Sequence, residues 1–164
     1  METAICTTIA SISRDEWEAC RSSRAGGDPF LSYDFFFLLE TSNSVGPKTG
    51  WIPFYIIFKE KNIVVGIIIS FLKNHSQGEY VFDHSWADAY ERSGGNYYPK
   101  LQVAVPFTPV SGERILVQSE YEDKVGEMIS SAKRLVEENN LSSLHITFCN
   151  KSFVSVAKKN NLLV

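Results

Sequence analysis

Residues 75–95, HSQGEYVFDHSWADAYERSGG, concentrate the side chains whose types could do chemistry. Asp83 and Asp88 stand five residues apart there, with Glu79 before them and Glu91 after. A carboxylate beside an amine nucleophile can take its proton during acyl transfer, which makes Asp83 and Asp88 the candidate catalytic residues. The competing reading is structural: Asp83 caps a short helix and Asp88 is solvated. Trp86, Tyr90, Tyr97 and Tyr98 can line a groove for sugar or peptide, although aromatics at such spacing also build cores. Lys100 and Arg114 flank the VAVPFTPVSG stretch. They either grip a carboxylate or phosphate of a substrate or pair with Asp83 or Glu79. Together Asp83, Trp86, Tyr90, Lys100 and Arg114 are expected to converge on one surface groove, with Tyr98 among the substrate-binding residues.

Other chemistries find less support. His75, Glu79 and His84 are spaced by four and five residues, which fits no well-defined zinc pattern. No metal site is expected. His145 lies among apolar neighbours and reads as a core histidine. Cys149 has no His or Lys in evident partnership and reads as a small buried hydrophobe.

The elements that must position these residues follow from composition and pattern. The chain has 164 residues, 44% hydrophobic and 21% charged, enough for one domain (1–164) with its own core. A net charge of −3 supplies no basic field, so a nucleic-acid duplex is not an expected partner. Three scattered cysteines, Cys6, Cys20 and Cys149, suggest neither a disulfide framework nor a zinc finger and fit a reducing compartment. The N-terminus has no basic start and no long apolar stretch. The longest apolar run, residues 63–72, is too short for a bilayer helix. The expectation is a cytoplasmic protein without a membrane span.

Residues 4–12 read as a strand. A helix follows Ser13, with Trp17 and Cys20 on one face, and stops near Gly26–Gly27. Ser32 can cap a second helix. Residues 51–59 and 63–72 are dense in β-branched and aromatic residues and form two long strands joined by a short turn. Gly66 within the second suggests a bulge or a close backbone approach. Both strands are apolar on both faces and must be covered by helices on each side. Asp83 opens a helix reaching to about Arg92. KLQVAV and RILV are strands separated by a turn-rich loop. Asp123 opens the clearest helix, with Val125, Met128, Ala132 and Leu135 at helical spacing. A strand over 144–148, a helix over 151–159 and the start of a strand at Leu162 complete an α/β order with a mixed central sheet.

This order is similar to the GNAT-type N-acyltransferase fold without its final strand pair. The stretches PFLSYDFF, LLETSNSVGPKTGW, HSQGEYVFDHSWADAYE, NYYPKLQVAVPFTPVSGERIL and LHITF closely resemble a bacterial family of FemAB-like proteins, from about residue 28 to residue 164. These are peptidoglycan biosynthesis or recognition proteins placed in the GNAT superfamily. The resemblance implies a GNAT-like sheet, incomplete at its C-terminus, and transfer of an acyl or aminoacyl group to an amine, in cell-wall precursor metabolism. Fem-type enzymes pair two such domains. The partner it implies is therefore a missing C-terminal GNAT-like domain or a second copy of the chain. The alternative is a non-catalytic or vestigial partner-binding half of a split protein. GNAT enzymes hold the pyrophosphate of acetyl-CoA in a glycine-rich loop before the long helix. Here VPFTPVSGERILVQSEYEDK has one glycine, two prolines and several acids. The chain itself is expected to use no cofactor and no residue is assigned to one. Acetyl-CoA or aminoacyl-tRNA would belong to the full-length family.

Overall fold

The computed structural model describes residues 1–22 and 25–164. A long hairpin organises the chain. Its first arm comprises β2 (Ile52–Pro53) and β3 (Tyr55–Glu60), and its second β4 (Ile63–Ile68) and β5 (Ser70–Lys73). Each arm is interrupted by a single residue, Phe54 or Ile69, where it passes from one four-stranded sheet to another. The arms stay tied at that step, because Phe54 N donates to Ser70 O at 2.9 Å.

The first sheet has the order β1 (Glu2–Cys6), β3, β4, β7 (Ile115–Val117), all antiparallel. The second runs β2, β5, β6 (Lys100–Val103), β8 (Leu144–Ile146), with only the last pair parallel. Strands β6 and β7 lie along the same hairpin arm, and residues 104–114 loop out between them.

Alternation along β3 separates two cores, as a period of two requires. Tyr55 and Ile57 pack with Trp17 of α1 (Arg14–Arg21) and Phe36 of α2 (Tyr33–Thr41). Ile56 and Phe58 pack on the other face with Met128, Ile129 and Ala132 of α4 (Val125–Glu138). Between β5 and β6 lies α3 (His84–Arg92), and α5 (Phe153–Lys159) follows β8. Gly66 lies under Met128, and a Cβ there would sit 2.5 Å from the Met128 methyl. The close approach expected at this glycine is present. The fold is α/β, with helices on both faces.

Several boundaries differ from the pattern-based expectation. Strand β1 ends at Cys6, because the Thr8 side chain accepts from Ala10 N and starts a 3-10 turn at Ile9–Ser11. Helix α1 opens on a capping box between Ser13 and Glu16 and ends at Arg21 rather than at Gly26–Gly27. Residues 23 and 24, which that expectation spans, lie outside the described residues. Asp123 does not open α4: it falls in a 3-10 helix, Ser119–Lys124. No strand begins at Leu162. Asn161 turns the chain at φ 55°, and Leu162 N donates back to Ala157 O.

Candidate functional site

Two lysines sit opposite each other in register, Lys73 at the end of β5 and Lys100 at the start of β6. Both are fully buried. Like charges directly opposite in a ladder repel, so such a pair persists only if acceptors compensate it. Residues 74–99, the excursion joining β5 to β6, supply them. Lys100 Nζ donates to Ser76 Oγ at 2.9 Å, Glu79 Oε2 at 2.8 Å and Asp83 Oδ2 at 2.9 Å. These three acceptors match the three protons of an ammonium. Lys73 Nζ donates to Gln77 O at 3.1 Å and lies 3.9 Å above the Trp51 ring. Two tyrosines close the cluster. Tyr97 OH donates to Asp83 Oδ2 at 2.7 Å, and Tyr98 OH shares a 2.7 Å hydrogen bond with Ser76 Oγ.

The two carboxylates are used by half. Glu79 and Asp83 are 3% and 7% exposed, yet Glu79 Oε1 and Asp83 Oδ1 have no hydrogen-bond partner. A buried acceptor left bare costs roughly 1–3 kcal/mol. The two acids differ electrostatically. Burial raises the Glu79 carboxyl above its ordinary value, against the opposing hydrogen bond and charge of Lys100. Burial also pushes Asp83 upward, but the nearby Ser76 hydroxyl and the hydrogen bonds of Lys100 and Tyr97 overcome it and hold the carboxyl at about 2. Burial brings Lys73 down to about 8, with the Lys100 charge adding to it and Glu79 opposing. His145, pressed against Tyr97 at 5.9 Å between ring centroids, is lowered by burial and by Lys100.

The structure brings together Asp83, Lys100 and Tyr98 from the sequence-based set. It does not assemble the expected five-residue groove. Trp86 is 76% exposed and Tyr90 51% exposed on the outer side of α3; Tyr90 touches the cluster only through an edge contact with Tyr97. Asp88 is solvent-exposed on the same helix. Arg114 is buried elsewhere. It donates to Thr147 O at 2.9 Å, Val110 O at 2.6 Å and Glu113 O at 2.9 Å, fastening the 104–114 loop to the end of β8. These peptide carbonyls satisfy the guanidinium, which therefore pairs with neither Asp83 nor Glu79. Asp83 occupies the N-cap position of α3 but makes no side-chain cap bond: its Oδ2 is held by Lys100 and Tyr97, and its backbone at φ −87°, ψ 14° is not the extended conformation of a capping residue.

Glu79, Ser76 and Lys73 are the members sequence reasoning did not assign. A faint signal for them exists. The buried residues of the excursion, Ser76, Glu79, Asp83 and Ala87, recur at spacings of three and four while apolar neighbours such as Phe82 point outward.

The FemAB-like family, described as peptidoglycan biosynthesis/recognition, matches residues 8–164. The chain belongs to this family. No curated protein and no solved structure matches it. The FemAB-like domain also has an apolar cavity of about 760 Å³ along β8, between α4, α5 and residues 161–164. His145 is common to that cavity and to the Tyr97 contact. Among the described residues no helix is long and apolar enough to cross a membrane, and no cluster of three or more His, Cys, Asp or Glu is placed to hold a metal.

Proposed function

We propose that this FemAB-like domain serves the acceptor side of an N-acyl or aminoacyl transfer onto an amine of a peptidoglycan precursor. The observation that carries the reading is the pair of bare carboxylate oxygens, Glu79 Oε1 and Asp83 Oδ1, buried beside each other's lysine partner. An amine nitrogen supplies the N–H donors that both lack. The positive charges of Lys73 and Lys100 nearby favour the neutral, nucleophilic form of that amine. As the nitrogen bonds to the carbonyl carbon of an activated ester or thioester, the bond to the leaving oxygen or sulfur breaks. Glu79 takes the proton released from nitrogen. Its raised pKa suits a base, whereas Asp83, held at about 2, suits a fixed anchor. The catalytic assignment thereby moves from Asp83 and Asp88 to Glu79, with Asp83 retained as a ligand.

Acetyl-CoA does not fit the start of α4 in this chain. Glu120, Glu122 and Asp123 crowd the preceding 3-10 helix, and α4 has no side-chain cap. Their charges oppose a pyrophosphate there. The donor we propose is therefore presented by another domain or molecule.

A second reading, a non-catalytic recognition module, is favoured by the saturation of Lys100 and the depth of both carboxylates. Mass spectrometry of an amine-bearing peptidoglycan peptide, incubated with the chain and an activated acyl donor, separates the two. Transfer adds the acyl mass to the peptide and is lost in Glu79→Gln. Recognition alone gives binding with no mass gain.

A further inference from the structure

Residues 79–93 carry the two acids that hold Lys100 and have very little apolar burial of their own. Ala87 is the one buried apolar residue among them. Tyr80, Val81, Phe82, Trp86 and Tyr90 all face solvent, Phe82 at 80% exposure. Such a segment is not held by the hydrophobic term that holds the rest of the fold. Its hydrogen bonds to other strands and loops, among the described residues, run through Glu79 and Asp83 alone: from Lys100 to both, and from Tyr97 to Asp83. The remaining ones are local, such as Ala87 N to Asp83 O and Gly95 N to Tyr90 O.

Both ends of the segment are glycine at positive φ, Gly78 at 78° and Gly94 at 90°. Glycine alone moves freely through that region, which is what a hinge needs. Between them Tyr80 and Phe82 also hold positive φ, at 58° and 57°, a conformation that side chains with a Cβ disfavour. The closed arrangement thus stores backbone strain and leaves two carboxylate oxygens without a protein donor. Opening relieves both, and a ligand that donates to those oxygens favours closure.

We propose that residues 79–93 are a lid, hinged at Gly78 and Gly94 and latched by Lys100 and Tyr97 on Glu79 and Asp83, that opens to admit the acceptor and closes on it. The lid rests on the amine-acceptor reading for its purpose but not for its existence. Because both carboxylates ride on the lid, opening brings them into water and closing carries a bound amine against the lysine pair.

Native-state hydrogen exchange on the whole chain in low denaturant tests this. Amides of His84–Arg92 are expected to exchange as one unit, at least 100-fold faster than those of β3 and β4. Tyr97→Phe removes one latch bond, and Asp83→Asn removes the charge that Lys100 and Tyr97 hold. Each should speed the whole unit at least threefold, including amides near Arg92 that touch neither site, with β3 and β4 unchanged. Ordinary fraying of an exposed helix would leave those distant amides unmoved. Exchange of the segment only together with β3 and β4, or indifference of α3 to both variants, overturns the lid. If either variant fails to fold, the wild-type rates decide alone. An amine-bearing peptidoglycan peptide should slow the unit, and its N-acetylated form should not. A locally opening lid that ignores both peptides keeps the lid and overturns the amine reading.

Discussion

Two carboxylates, Glu40 beside the first sheet and Glu79 at the end of the second, are satisfied in opposite ways. Glu40, on α2 under the first sheet, has both oxygens engaged. Oε1 accepts from Ile9 N at 2.9 Å and Tyr55 OH at 2.8 Å, and Oε2 from Thr8 Oγ1 at 2.6 Å. Its donors are neutral. Glu79, at the end of the second sheet, shares Lys100 with Asp83 and leaves Oε1 bare. The surroundings differ in the same sense. Under the first sheet the face of β3 and β4 is covered by Trp17, Phe36 and Leu31. Its continuation on β5 and β6 bears Lys73, Lys100 and Gln102 beside Phe71, and Lys100 is held there by acids of a segment with almost no buried apolar residue. A carboxylate that completes a core spends all its acceptors on it. One that keeps an acceptor free of protein donors is open to a further ligand.

Removing the lysine should produce the largest effect. Lys100→Met leaves Glu79 and Asp83 buried without their cation, and loss of one partner of a buried pair costs about 3–5 kcal/mol. Chemical denaturation should read that loss. Next comes Glu79→Gln, expected to lower acyl transfer at least 100-fold, in the range for loss of a general base, while changing stability little. Glu40→Gln should do the reverse, costing about 1–3 kcal/mol of stability through its mismatched donors and leaving transfer intact.

Asp83→Asn sharpens the distinction between latch and cap. Asn caps a helix about as well as Asp, so a cap would tolerate it. The latch predicts weakened bonds to Lys100 and Tyr97 and a changed acid response. The Asp83 carboxyl at about 2 lies below its ordinary 3.8. Its stabilisation is therefore complete above pH 4 and lost as pH falls toward 2. The wild-type advantage over Asp83→Asn should vanish across that window in acid-unfolding curves. Glu79 acts with the opposite sign, because its raised pKa makes its ionised form a burden that acid relieves. Lys73 titrates at the other end of the pH scale. At about 8 in the folded chain against 10.5 ordinarily, it binds less proton than the unfolded chain between those values. Stability should rise with pH there, and Lys73→Met should flatten the rise.

The hairpin was legible because Tyr55–Phe58 and Val64–Ile68 are apolar on both faces, which only a strand between two helical layers explains. The Asp83–Lys100 pairing was legible as one of two stated options. The rest escaped for physical reasons. Arg114 found carbonyls of its own loop, a choice that depends on the path of residues 104–114. Trp86 and Tyr90 face outward although aromatics usually bury, because the inner stripe of their segment is occupied by acids. Lys73 ends a strand, where lysine ordinarily reaches water, and only the return of Gln77 over Trp51 encloses it.

The bare oxygens of Glu79 and Asp83 are proposed to receive an amine. Calorimetric titration of the wild-type chain with an amine-bearing peptidoglycan peptide and with its N-acetylated counterpart tests this most directly. Saturable binding of the free amine is expected, with at least tenfold weaker binding of the acetylated form and loss of that preference in Glu79→Gln. Equal binding of both peptides, or a preference that survives Glu79→Gln, would contradict it.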